Sequence, residues 1–245
     1  MKNLFDSLIG ATKNTKIDFF SIYHHSVFLQ AKNVGLASTI HTELHTPLEG
    51  AGTFHEKNTK ELASLIKSNN YLETSIGLAA INSEVNHQEL LKIGSNINGF
   101  ALLEEKGQNK NIAVLGNFPN IKKLQENKSF KILWIFEINP PDDSFKTPKD
   151  YAEYLPRADV VLFTAVTLIN HTIFDFYPYL KNSFKILTGP SVPLHHSLFD
   201  FGIDAICGSV VTNPELAKLS LSQGASYKYA KGIERITLLR NNHAK

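Results

Sequence analysis

A single cysteine, Cys207, occurs among 245 residues. It leaves no internal disulfide and excludes a zinc cluster built on thiolates. Its place in an apolar run marks it as an inert thiol. Long hydrophobic runs are also missing, since none reaches the roughly eighteen residues of a membrane span. The opening MKNLFDSLIGATKNTK lacks the apolar stretch of a secretory signal. Charge of one sign is scarce: 25 Lys and Arg stand against 23 Asp and Glu, a net +2. The basic residues are dispersed, so there is no electrostatic footprint for nucleic acid. No G-x-G-x-x-G, H-E-x-x-H or serine–histidine–acid motif is present. These absences point to a cytoplasmic chain, with neither nucleic acid nor membrane involved.

What is present has an ordinary globular composition, 42% hydrophobic and 20% charged, at a length comfortable for two domains. The two halves have different hydrophobic patterns. Residues 17–41 hold two β-like runs, one ending near Gln30 and one starting at Val34, with Lys32-Asn33 as a tight turn between them. A glycine-bearing loop that includes LEGAGTF follows, and then helices. Asn58 or Thr59 can cap KELASLIKS, and residues 72–86 repeat apolar positions at helical spacing. Ser75, Gly77, Ala79 and Ala80 there are small enough to admit another backbone. A third helix over Asn98–Glu105 ends at Gly107. The expectation is an α+β domain over 1–106, the polar linker KGQNK (106–110), and a second domain over 111–245.

In that second half, short apolar runs alternate with helical segments. Strands are expected at Ile112–Leu115, Ile132–Phe136, Val160–Phe163, Ile186–Leu187 and Ala205–Ile206. Helices are expected near 118–127, 149–155, 169–180, 195–201 and 214–222. This is the pattern of a parallel sheet covered on both faces, the α/β class.

Ligands of such sheets bind beyond the carboxyl ends of the strands. The loops to read are therefore Gly116, Asn117, Phe118 and Pro119, then Glu137 with Asn139, then Thr164, Thr167 and Asn170, and last Gly189, Pro190 and Ser191. Each has two readings. Gly116 either frees a turn or lets a ligand approach. Glu137 ends the second strand, where a nucleotide-binding sheet places the acid for a ribose, or it is simply solvated. Thr167 caps a helix or helps form an anion site at its amino terminus, with Asn170 orienting the ligand. Ser191 is a turn residue or a ligand hydroxyl. If a divalent metal is bound directly, its ligands should be hard or borderline groups such as Glu137 and histidines, since thiolates are unavailable. The pairs His24-His25 and His195-His196 are poorly spaced for one ion, because adjacent side chains diverge on strand and helix alike. His41 and His45, four apart, lie in a segment without helical meaning.

ELASLIKSNNYLETSIGLAAINS, followed in order by GNFP, FEINP, ADVVLFTAVTLINHT, LTGPSVPLHHSLFDFGID and GSVVTNPE, resembles the "putative heavy-metal chelation" family from about Phe19 to Leu239. The resemblance implies an enolase-amino-terminal-like domain joined to a Rossmann-like domain with a mainly parallel sheet. It also implies a pocket between the two that handles a metal or a metal-binding small molecule. Its motif positions fall on Gly116, Phe118, Pro119, Glu137, Asn139, Thr167, Asn170, Gly189, Pro190 and Ser191. The expected function is small-ligand or heavy-metal binding in an interdomain cleft. The alternative is an enzyme using a nucleotide-type cofactor in the Rossmann-like half.

Overall fold

The structure, a computed structural model, describes residues 3–40, 48–116, 118–119 and 121–240. It opens with helix α1 (Asn3–Ala11), followed by strands β1 (Phe19–Ile22), β2 (Ser26–Gln30) and β3 (Val34–Ser38). The three strands form an antiparallel sheet in the order β1-β2-β3, with Gln30 paired to Val34 across the turn. That turn has no glycine and is held from outside: Asn33 donates to the Ser83 carbonyl through both its backbone N–H (3.0 Å) and its side chain (3.2 Å). Helices α2 (Thr59–Ala63) and α3 (Tyr71–Val85) follow. Of the two candidate caps for α2, Asn58 serves, accepting from the Glu61 N–H while Glu61 accepts in return, each at 2.9 Å.

The small-residue face of α3 is used as expected. A Cβ on Gly77 would stand 2.3 Å from the backbone nitrogen of Ile66, and one on Gly35 of β3 would stand 1.9 Å from the Ala79 carbonyl oxygen. Backbones therefore meet α3 from two sides, and residues 74–85 are all buried.

Beyond α3 come α4 (Gly99–Lys106), β4 (Asn111–Leu115), α5 (Ile121–Gln125), β5 (Ile132–Phe136), α6 (Tyr151–Tyr154) and β6 (Val160–Thr164). They are followed by α7 (Val166–Ile169), α8 (Ile173–Phe176), β7 (Phe184–Thr188), α9 (Ser197–Phe201), β8 (Ala205–Val211), α10 (Pro214–Ser222) and β9 (Ile233–Leu239). The sheet order is β5-β4-β6-β7-β8-β9, parallel throughout except that β9 runs against β8. The protein is thus mixed α/β, a mainly parallel six-stranded sheet beside an antiparallel three-stranded one.

Three local expectations are corrected. The strand β9 is absent from the sequence reading because Glu234 and Arg235, near its start, face solvent and break the apolar run. The single helix expected over 169–180 is divided at His171, whose φ of 62° no right-handed helix admits. Helices expected from 118 and 195 start only at Ile121 and Ser197. At 106–110 the chain turns within one cluster, since Leu102 and Leu103 of α4 pack with Ile112 and Val114 of β4.

The halves are locked by two asparagines of α3 and its C-terminus. Asn82, fully buried, donates to the carbonyls of Leu36 (2.8 Å) and Ser191 (3.0 Å). Asn86 donates to those of Val192 (3.0 Å) and Ser209 (3.2 Å) and accepts from the Leu194 N–H (2.8 Å).

Candidate functional site

Strand β4 lies between β5 and β6, so the chain leaves it to one side and returns on the other. Connections on either side of such a strand diverge and open a crevice at its carboxyl end, the switch point where doubly wound sheets bind ligands. A cavity of about 230 Å³ occupies this place. Its apolar wall is Leu115, Phe118, Phe136, Ile138, Val166 and Phe176, and its polar groups come from Glu137, Tyr151, Thr164, Thr167, Asn170 and Thr172, with Gly116 between.

Each polar group is held by its own loop. Glu137 takes the Ile138 N–H on Oε1 at 2.9 Å. Its own N–H donates to the Lys146 carbonyl at 2.9 Å, anchoring the strand end. Thr164 Oγ1 accepts from the Val166 N–H (3.3 Å), and the Thr167 hydroxyl donates to the Thr164 carbonyl (2.7 Å). Asn170 Oδ1 accepts from both the N–H (3.2 Å) and the hydroxyl (2.7 Å) of Thr172. A backbone N–H can only donate, so the oxygen faces Thr172 and the amide nitrogen is left to donate elsewhere. Behind this turn, His171 donates from Nε2 to the Ile66 carbonyl at 2.8 Å and lies against Phe5 with ring centroids 5.2 Å apart. The first half therefore supports the 170–172 turn from behind. Tyr151, packed on Phe136 with ring centroids 5.4 Å apart, has its phenol pushed up to about 12, first by burial and then by Asp175 and Glu137. It is a protonated donor across the physiological range.

Of the residues singled out in the sequence, Gly116, Phe118, Glu137, Thr164, Thr167 and Asn170 come together here. Asn117 lies outside the described residues, as do His41 and His45. Pro119 and the exposed Asn139 do not line the cavity. Gly116 has φ 115°, and a Cβ there would meet the Thr164 methyl at 2.9 Å, so its turn and its close neighbour both require glycine. The anion-site reading of Thr167 gains nothing, because α7 is only four residues long and the dipole argument needs a longer helix.

The fourth loop does not line this cavity. Gly189 (φ 132°) abuts Ala165, Pro190 sets its carbonyl 3.4 Å from the Ser209 hydroxyl, and Ser191 is fully buried. Ser191 Oγ accepts from the Ser38 N–H at 2.8 Å. Strand β7 is one place beyond the switch point, and its loop joins the two halves instead of facing the cavity. The LEGAGTF loop is apart from it too, since the described lining residues all lie between 115 and 176. Phe54 is buried against Phe20, ring centroids 5.2 Å apart. Sequence reasoning missed Tyr151 and Thr172. Thr172 could have been found, since it follows Asn170 by two, the spacing of a side-chain-capped turn.

The histidine pair lies outside the cavity. His195 Nδ1 is 2.9 Å from Ser197 Oγ, and the exposed His196 reaches only to within 4.0 Å of Asp200. Burial, then the neighbouring His196, hold His195 down at about 4, with Asp200 opposing. A histidine kept neutral by folding contributes stability above its unfolded value near 6.5. That contribution falls away as pH drops from there to about 4. Chemical denaturation between those limits should show a steeper loss of stability in the wild type than in His195→Gln.

A direct metal centre does not fit these side chains. Among the described residues no group of three or more His, Cys, Asp or Glu is placed to hold an ion. Among the described lining residues, Glu137 is joined by hydroxyls, a phenol and an amide. These are hard oxygen donors, unlike the thiolates and imidazoles that select heavy metals.

Fold and cavity define a two-sheet α/β protein with a pocket at the switch point of a doubly wound sheet. The chain belongs to the family described as "putative heavy-metal chelation", whose two profiles match residues 5–85 and 98–240. A protein of unknown function from Desulfitobacterium hafniense shares the fold with a TM-score of 0.85, at 24% identity over 98% of each chain. One from Pyrococcus horikoshii does so at 0.80, with 21% identity over 96% of this chain and 98% of its own. An uncharacterized protein of Methanocaldococcus jannaschii is 29% identical over 236 residues, 89% of this chain and 90% of that one. No helix among the described residues is long and apolar enough to cross a membrane.

Proposed function

We propose that the protein binds a small organic molecule in the cavity at the carboxyl ends of β4, β5 and β6. The observation that carries this reading is convergence: three loops distant in sequence bring a carboxylate, an amide, a phenol and three hydroxyls around one apolar wall. An apolar pocket with a few oriented polar groups is the usual form of a ligand site. At about 230 Å³ it is small, below the roughly 300–1,000 Å³ typical of drug-sized ligands. It suits a single ring or a short chain. The association of the family with heavy metals is compatible with such a site if the metal arrives already held by the small molecule.

A thermal-shift screen of a small-molecule library tests the reading. Hits should lose their effect in Asn170→Ala, which removes the donor without adding a charge, and in Val166→Phe, which fills the space. Hits that stabilise both variants as well as the wild type would reject it. For metal, calorimetric titration with nickel, cobalt, copper and zinc should give isotherms that Glu137→Ala leaves unchanged. A stoichiometric site abolished by that substitution would restore Glu137 as a direct ligand.

A further inference from the structure

Among the described residues, the cavity lining has one acidic side chain, Glu137, and no Lys, Arg or His. In sequence the first loop, residues 116–120, carries no charge at all, and the second adds Asp142 and Asp143. Of the two lysines of that second loop, Lys146 sets its Nζ 4.7 Å from the centre of the Tyr154 ring, and the exposed Lys149 does not line the cavity. His171, the cation-capable member of the third loop, gives its Nε2 to the Ile66 carbonyl. Nor does a helix terminus substitute, because α7 has four residues and its first N–H, that of Val166, is taken by Thr164 Oγ1. A carboxylate beside an apolar wall is costly without a partner, and charge-assisted hydrogen bonds are the strongest that can form there.

We infer that the ligand is a small cation, a protonated amine or amidine attached to a flat apolar body. This rests on the cavity reading above. The ammonium lies on the free oxygen of Glu137, and the apolar body lies against Phe136, Phe176 and Tyr151. Asn170 and Tyr151 supply donors to an acceptor on the same molecule. Phosphorylated ligands are excluded by the same electrostatics, which separates this site from nucleotide-binding ones of similar position.

Three probes of one shape and different charge test it: benzylamine, benzyl alcohol and benzoate, titrated into the full chain and followed by amide NMR shifts. Benzylamine should bind about tenfold tighter than benzyl alcohol, the gain expected of one charge-assisted contact, and benzoate should not bind. In Glu137→Gln, which retains the acceptor for the Ile138 N–H, the two affinities should converge while the melting temperature stays unchanged. Equal affinities in the wild type, preference for benzoate, failure of benzylamine to bind, or a preference that survives Glu137→Gln would each overturn the inference. The cavity reading fails separately, on library hits that ignore Asn170→Ala and Val166→Phe.

Discussion

Gly35→Val should yield no cooperatively folded protein. The glycine sits in β3 where the strand crosses α3, and a Cβ would lie 1.9 Å from the Ala79 oxygen and 2.3 Å from the Ser83 nitrogen. Both neighbours are backbone atoms inside a helix whose residues 74–85 are buried, so neither can rotate away. The strand must leave the helix, and with it go Val27, Leu29 and Ala37, which are part of the main core. Overpacking ordinarily costs about 1–3 kcal/mol where side chains can shift. Here the loss should exceed about 3 kcal/mol, a large part of the 5–15 kcal/mol that holds a typical domain together. Circular dichroism on heating would show no sharp transition. A Gly35→Val variant melting within a few degrees of the wild type would mean that β3 and α3 are not in backbone contact.

Asn86→Ala should be nearly as damaging although it removes little volume. The side chain satisfies three buried backbone groups at once: the carbonyls of Val192 and Ser209 and the N–H of Leu194. Alanine leaves all three without a partner, and each unsatisfied buried group costs about 1–3 kcal/mol. Allowing for partial relaxation, urea denaturation should show a loss of about 3–5 kcal/mol. Asn86→Asp preserves the acceptor for Leu194 but sets a buried carboxylate against the Val192 and Ser209 carbonyls, and should cost at least as much as alanine. A loss below about 1 kcal/mol for alanine would show that water replaces the asparagine and that the lock between the halves lies elsewhere.

These two residues also mark what could be read from the sequence. The small face of α3 was legible because Gly77, Ala79 and Ala80 recur at helical spacing, and small residues on a helix have few other uses. The alternation of apolar runs and helical segments announced the parallel sheet. That Glu137, Thr164, Thr167 and Asn170 line one cavity was legible through one rule, that the strand ends of such a sheet converge. The same rule failed for Ser191, because sequence does not give strand order: β7 lies beyond the switch point, and its loop is drawn to Ser38 instead. Tyr151 was hidden because it follows β5 after a long loop and reaches the cavity through packing on Phe136 and Phe176. No periodicity encodes that contact. β9 was hidden by solvent-facing charges at its start, as edge strands commonly are.

The crystal structure of the protein bound to the tightest hit from the thermal-shift screen tests the central claim most directly. Density should lie at the carboxyl ends of β4, β5 and β6, between Glu137 and Asn170 and against Phe136 and Phe176. Density between the two halves, against Ser38, Ser191 and His195, with the cavity of β4–β6 empty, would contradict it.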